Sequence, residues 1–128
     1  MEKKISIVLV DDNATDLFLH ERFILFENIA STITTFNLAE KALNYLLTNN
    51  SPDVILLDIQ MPLMNGFDFL TAYETLSVSK KSPVIMVSSS LDFGDVNRAK
   101  ANPMVLDLLE KPLNMPSFIT ILKNNNLL

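Results

Sequence analysis

Three short apolar runs govern what this chain can become: ISIVLV (residues 5–10), DVILL (53–57) and PVIMV (83–87). Each is rich in β-branched residues and continuous rather than alternating, the pattern of strands covered on both faces of a parallel sheet. STITTF (31–36) and VLDLL (105–109) alternate in part and read as weaker strands, the former suited to a sheet edge. Helical patterns fill the gaps. Ala39, Ala42, Leu43, Leu46 and Leu47 fall on one face of an amphipathic helix. Asn13, with Asp16 three residues on, caps a helix predicted through residues 17–26. Phe67, Leu70 and Tyr73 mark another after Asn65-Gly66, and Pro116 suits the first turn of a last helix through Phe118, Ile121 and Leu122. Residues 92–101 make a poorer helical pattern, with Gly94 inside and only Val96 and Ala99 clearly apolar. Strand and helix therefore alternate five times, which implies right-handed crossovers and a parallel sheet with helices on both faces. The terminal KNNNLL reads as a fraying tail.

Composition narrows the function. A chain of 128 residues suits one domain, and zero cysteines exclude disulfides, thiolate metal sites and cysteine catalysis. The formal charge of −5 argues against a nucleic-acid partner. No apolar run approaches the ~20 residues of a membrane span. MEKKISIVLV runs straight into Asp11-Asp12 without a small-residue cleavage site, so it reads as a strand rather than a signal peptide, and a cytoplasmic protein is expected.

Ligands of such sheets bind outside the carboxyl ends of the strands. Asp11 and Asp12 follow the first strand, Asp58 the third, Ser88, Ser89 and Ser90 the fourth, and Lys111-Pro112 the fifth. Taken singly these are helix caps, turn residues or loop. Together they place three carboxylates, a hydroxyl and an ammonium on one rim. Clustered carboxylates repel unless a cation sits among them. Mg2+ fits, because it takes one or two carboxylates and completes its shell with water and phosphate oxygens. With no Cys and a single His, His20, the ligands for zinc or copper are lacking. Lys111 could hold a phosphate oxygen and Ser88 could donate to another. Asp58 remains as a carboxylate nucleophile able to form an aspartyl phosphate.

The set LVDDN, LLDIQMPLMNG, PVIMVSS and EKPL, spread over essentially the whole chain, resembles the receiver domain of two-component response regulators. The resemblance implies a flavodoxin-like α/β fold with a five-stranded parallel sheet of order 2-1-3-4-5. It implies Asp58 as phosphoacceptor, and Mg2+ held by Asp11, Asp12, Asp58 and the Gln60 backbone carbonyl. Ser88 would turn toward the phosphoryl group, Lys111 would pair with it, and the bond before Pro112 would be cis. Gln60 and Ser90 would tune the lifetime of the phosphate. It further implies a single receiver domain over residues 1–128 without an output domain. A histidine kinase or phosphotransfer protein would be the donor, with output through a docked target protein or onward transfer, and a homodimer is compatible with it. One position departs from the family pattern: Leu108 stands where an aromatic ring usually swings inward. Any signal is then expected to travel through loop shifts over residues 88–92, and Leu91, Phe93 and Leu108 are candidates for an apolar docking patch.

Two other readings compete. A degenerate receiver would bind partners without phosphorylation, which Leu108 favours and the intact acidic set opposes. DDNAT (11–15) nearly fits the D-x-D-x-T motif of haloacid-dehalogenase-type phosphatases. Asn13 stands where their acid/base should be, no Asp or Glu follows Lys111, and Asp58 would be idle. Self-phosphorylation and self-hydrolysis, rather than enzymatic turnover, are expected.

Overall fold

The continuous apolar runs become the middle of the sheet, covered on both faces. The computed structural model describes residues 3–48 and 51–128, so Met1 and Glu2 of the basic N-terminal stretch lie outside the described residues. The elements follow in strict alternation: β1 (Ile5–Val10), α1 (Ala14–Glu27), β2 (Ala30–Phe36), α2 (Ala39–Leu47), β3 (Val54–Asp58), α3 (Gly66–Thr75), β4 (Val84–Ser88), α4 (Phe93–Ala101), β5 (Val105–Glu110) and α5 (Met115–Asn124). The five strands pair in parallel in the order β2-β1-β3-β4-β5, as the resemblance implied. The partly alternating runs form the two edges, β2 and β5, where one flank has no neighbour to bury it.

Successive strand residues point to opposite faces, which divides the core in two. Val8, Val10, Ile55, Leu57, Val84 and Met86 meet α2, α3 and α4 through residues such as Leu46, Phe69, Tyr73 and Ala99. Ile5, Ile7, Leu9, Val54, Leu56, Ile85 and Val87 face the other way, onto Ile24 of α1 and Phe118 and Leu122 of α5. Full burial of a Phe or Leu side chain contributes about 1.5–3 kcal/mol, so β1, β3 and β4 form a rigid floor.

At the carboxyl ends of the strands, the starts of α1, α3, α4 and α5 are pinned by side-chain caps, whereas α2, with Leu38 at the cap position, has none. Asn13 accepts from the Asp16 N–H (3.0 Å), Asp92 from Asp95 (2.8 Å) and Asn114 from Ser117 (2.9 Å). Asn65 and Asp68 form a reciprocal capping box. Asn65-Gly66, after which the sequence pattern places the helix, is thus the cap and first residue of α3.

The C-terminal residues do not fray. The Leu127 N–H donates to the Leu122 carbonyl at 2.9 Å, and Leu127 and Leu128 pack against the α1/α5 side of the core. Two apolar residues after a polar Asn run find the floor of that layer, which corrects the expectation of a solvated tail.

Leu63, in the loop leaving β3, takes φ 67° and is fully exposed at 102%. A left-handed conformation costs a leucine about 1–2 kcal/mol, and its side chain recovers nothing by burial. Leu63→Gly is therefore expected to raise stability by about 0.5–1 kcal/mol after the extra chain entropy of glycine. Leu63→Ala should leave it unchanged. Urea unfolding midpoints test this, and a glycine variant no more stable than the alanine variant would refute strain at this residue.

Candidate functional site

Each residue at the rim is delivered by the end of a buried strand. Asp11 leaves β1 with its N–H donated to the Phe36 carbonyl (3.1 Å), so its carboxylate is fixed by sheet hydrogen bonding. Asp11 Oδ1 then accepts from the Asn13 N–H at 2.9 Å, tying it to the cap of α1. Asp58 is the last residue of β3 and opposes Val87 of β4. Gly66 returns beneath it: its N–H donates to the Ile59 carbonyl (2.8 Å), and a Cβ there would lie 2.6 Å from the Asp58 carbonyl oxygen. Glycine is needed here for close approach. Ser88 ends β4, and its carbonyl accepts from the Lys111 N–H (2.8 Å), which sets the lysine beside the other three strand ends.

The side chains converge. One carboxylate oxygen each from Asp11, Asp12 and Asp58 lies within 4.8 Å of the others, with Asp11 and Asp58 buried and Asp12 exposed. The Lys111 ammonium stands 2.8 Å from Asp11 Oδ2, 2.9 Å from Asp16 Oδ2 and 3.2 Å from Asp58 Oδ1. The peptide bond Lys111-Pro112 is cis, as the resemblance implied.

Burial, then the charge of Asp11, pushes the Asp58 carboxyl from its ordinary 3.8 up to about 7 against the pull of Lys111. Burial alone would lower the lysine, but pairing with Asp11 and Asp16, and the charge of Asp58, hold it above its ordinary range. Two negative charges thus outnumber what one ammonium can balance at the buried centre. Asp11 Oδ2 and Asp58 Oδ1 are buried, and both face the same Lys111 ammonium, at 2.8 Å and 3.2 Å. An all-oxygen set with excess negative charge and water access through Asp12 suits a hard divalent cation.

The remaining predicted residues are close but otherwise engaged. The Ser88 hydroxyl lies 2.8 Å from Gln60 Oε1 and 2.6 Å from the Ser90 carbonyl, while the Ser90 N–H donates back to it at 3.2 Å. With one proton to donate, Ser88 is held in a local turn bridged by the Gln60 side chain. Gln60 and Ser90 therefore meet at the same hydroxyl. Leu108 sits opposite Met86 of β4 and packs partly buried on the α2–α4 side of the core. It is tied into the core, whereas Leu91 (43% exposed) and Phe93 (87%) stand in solvent at the start of α4.

Two residues near the site went unassigned in the sequence reading. Asp16 served there only as part of a helix start, yet the Lys111 ammonium donates to it. His20 is buried beneath, and its Nε2 accepts from the Leu113 N–H at 3.3 Å. The only sequence signal was their spacing, four residues apart on one helix face.

The comparisons agree with this geometry. The sequence matches the response regulator receiver domain over residues 7–123. A protein-glutamate methylesterase/protein-glutamine glutaminase of Burkholderia pseudomallei is 33% identical over 116 residues, which are 88% of this chain and 30% of that protein. One from Paramagnetospirillum magneticum is 30% identical over 119 residues, 90% of this chain and 32% of its own length. The chain therefore spans about 30% of the length of these curated relatives. Among solved structures, a response regulator receiver protein from Dyadobacter fermentans is 36% identical with a TM-score of 0.82, covering 93% of this chain and 95% of that one. A two-component response regulator from Cytophaga hutchinsonii is 28% identical with a TM-score of 0.88, covering 95% and 97%. With the strand order, the acidic rim and a family match running from the first strand into the last helix, the chain belongs to the response regulator receiver domain family.

Proposed function

We propose that this domain is a phosphoacceptor switch that takes a phosphoryl group on Asp58 from a phosphohistidine partner. The observation that carries this reading is the buried Asp58 carboxylate at the end of β3, flanked by Asp11 and Asp12 and facing Lys111 at 3.2 Å. Asp11, Asp12, Asp58 and the Gln60 carbonyl would hold Mg2+. When bound, the ion supplies charge neutralisation for the transferring phosphoryl oxygens.

The chain's own groups do the rest. The rigid floor under β3 holds Asp58 for in-line attack on phosphorus, so little reorganisation is needed. As the P–N bond to the donor imidazole breaks, its electron pair stays on the ring nitrogen and a P–O bond forms to Asp58, so a donor that carries a proton on its other ring nitrogen leaves as neutral imidazole. Lys111 is placed to follow the charge from the free carboxylate to the phosphoryl oxygens. Ser88 must leave Gln60 and the Ser90 carbonyl to donate to the new group, so those contacts oppose the switch until phosphorylation offers a charged acceptor. Gln60 and Ser90, at the mouth, are positioned to govern water access and phosphate lifetime.

The donor is a histidine kinase or phosphotransfer protein. α1, whose start borders the site, exposes Phe18, Leu19, Leu25 and Phe26, an apolar face suited to a protein partner. Among the described residues no helix is long and apolar enough to cross a membrane. A cytoplasmic location, output through a docked protein or onward transfer, and a role as acceptor rather than turnover enzyme complete the proposal.

Intact mass after incubation with phosphoramidate tests it. The expected result is a gain of one phosphoryl that requires Mg2+ and disappears in Asp58→Ala. An unmodified parent protein under both conditions would favour the phosphorylation-independent binder.

A further inference from the structure

Lys111 has more anionic partners than phosphoryl chemistry requires. Besides Asp11 and Asp58 of the rim, its ammonium donates to Asp16 Oδ2 at 2.9 Å. The Asp16 side chain is 31% exposed, against 4% for Asp11 and 3% for Asp58, so it is the wet end of the triad. It lies in the first turn of α1, where the N-terminal dipole also favours a carboxylate. One turn later on the same helix, His20 accepts the Leu113 N–H, two residues past the lysine. α1 thus grips the Lys111 loop at two points, through residues that lie more than ninety positions away in the chain.

Resting on the acceptor reading above, we infer that Asp16 and His20 are positioning residues for Lys111: Asp16 receives the ammonium when a cation takes Asp11 and Asp58, and His20 holds the loop so that the lysine stays within reach of both. A divalent cation between Asp11 and Asp58 would be repelled by an ammonium 2.8 Å and 3.2 Å from the same oxygens. Without Asp16 the lysine has no other anion and stays where it competes. With Asp16 it shifts outward by a small rotation, remains paired, and can return when Asp58 carries a phosphoryl group. His20 acts through the backbone. A loop whose N–H is satisfied by a buried imidazole has few positions open to it, and this limits where the lysine stem begins. The groups facing His20 are Asp11 from the end of β1, Asp16 from its own helix and Lys111 from the loop.

The test uses Mg2+ affinity and amide exchange, neither of which depends on phosphorylation. Mg2+ is titrated calorimetrically into the parent, Asp16→Asn, Lys111→Met and the double variant. Asp16→Asn is expected to weaken Mg2+ binding about fivefold in the parent background and less than about twofold when Lys111 is methionine, because its effect runs through the ammonium. An equal loss in both backgrounds would reduce Asp16 to a through-space charge and overturn its assigned role. For His20, Leu113 amide exchange is compared in His20→Leu and His20→Gln. The leucine is expected to speed exchange about tenfold, and the glutamine, whose Oε1 reaches a place similar to Nε2, to keep it slow. Unchanged exchange in His20→Leu would overturn the loop anchor. Failure of the parent to gain a phosphoryl group would sink the acceptor reading alone, since both comparisons are made on unphosphorylated protein.

Discussion

In Mg2+-free buffer at pH 8, Asp58→Asn is expected to be about 3 kcal/mol more stable than the parent while losing all capacity to gain a phosphoryl group. The two effects share one cause. Asp58 is a carboxylate buried beside another, and the fold holds it at an energetic cost. Burial and Asp11 raise its pKa from 3.8 to about 7, and at about 1.4 kcal/mol per tenfold change this is on the order of 4 kcal/mol against the ionised form. The amide keeps the shape, carries no charge, and gives up the contact with Lys111, which retains Asp11 and Asp16. A net gain of about 3 kcal/mol follows.

The pH dependence gives this prediction its sign. A carboxyl with a raised folded-state pKa binds its proton more tightly folded than unfolded. Below about pH 4 both states are protonated, and the parent resembles the amide variant. Between about pH 4 and 7 the unfolded chain ionises first, and the parent progressively loses stability that the variant keeps. Above pH 8 the gap is constant. Saturating Mg2+ should narrow it, because ligand that binds only the folded parent stabilises it by mass action. Urea unfolding at pH 4.5, 6 and 8, with and without Mg2+, measures all of this. A gap of constant size across pH would mean that Asp58 is ordinarily solvated and that its ionisation costs the fold nothing.

Why the sequence disclosed the rim but not its wiring follows from what each depends on. Continuous β-branched runs can be satisfied only by a doubly covered strand, so β1, β3 and β4 were legible, and with them the placement of Asp11, Asp58 and Ser88 at one edge. α2 was legible because its apolar spacing is strict. α1 was harder, since Phe18, Leu19, Leu25 and Phe26 add apolar residues to a face that solvent covers. The links from Lys111 to Asp16 and from Leu113 to His20 join distant positions through side chains common in any helix, and no local pattern marks them. The Gln60–Ser88 bridge was hidden for a similar reason: the resemblance gives Gln60 a backbone carbonyl toward the metal and a part in phosphate lifetime, and neither marks its side chain as the partner of the Ser88 hydroxyl. Leu63 in a left-handed turn was hidden because nothing in a leucine announces it.

Lys111→Met is expected to have the opposite effect, a loss of about 3 kcal/mol at pH 8 without Mg2+. Methionine keeps much of the apolar stem of the lysine, so packing is largely retained and the change isolates the charge. The Lys111 side chain is 9% exposed and is the cation shared by Asp11, Asp16 and Asp58. Removing one partner of a buried ion pair typically costs about 3–5 kcal/mol, because the other charge stays behind. The lower end applies here, since Asp58 can escape by taking a proton and Asp16 is partly solvated. Both escapes make further predictions. At pH 5, where Asp58 is protonated in the folded state, the loss should shrink to about 1 kcal/mol. Adding Asp58→Asn at pH 8 should recover about 2 kcal/mol, so the two substitutions are far from additive. Mg2+ should restore the single variant more than it stabilises the parent, because the cation replaces the missing positive charge and no longer displaces an ammonium. If Lys111→Met were instead as stable as the parent at pH 8, or were not rescued by Asp58→Asn, the rim carboxylates would not depend on the lysine for their charge balance. The geometry that places Lys111 at the acceptor would then be packing alone.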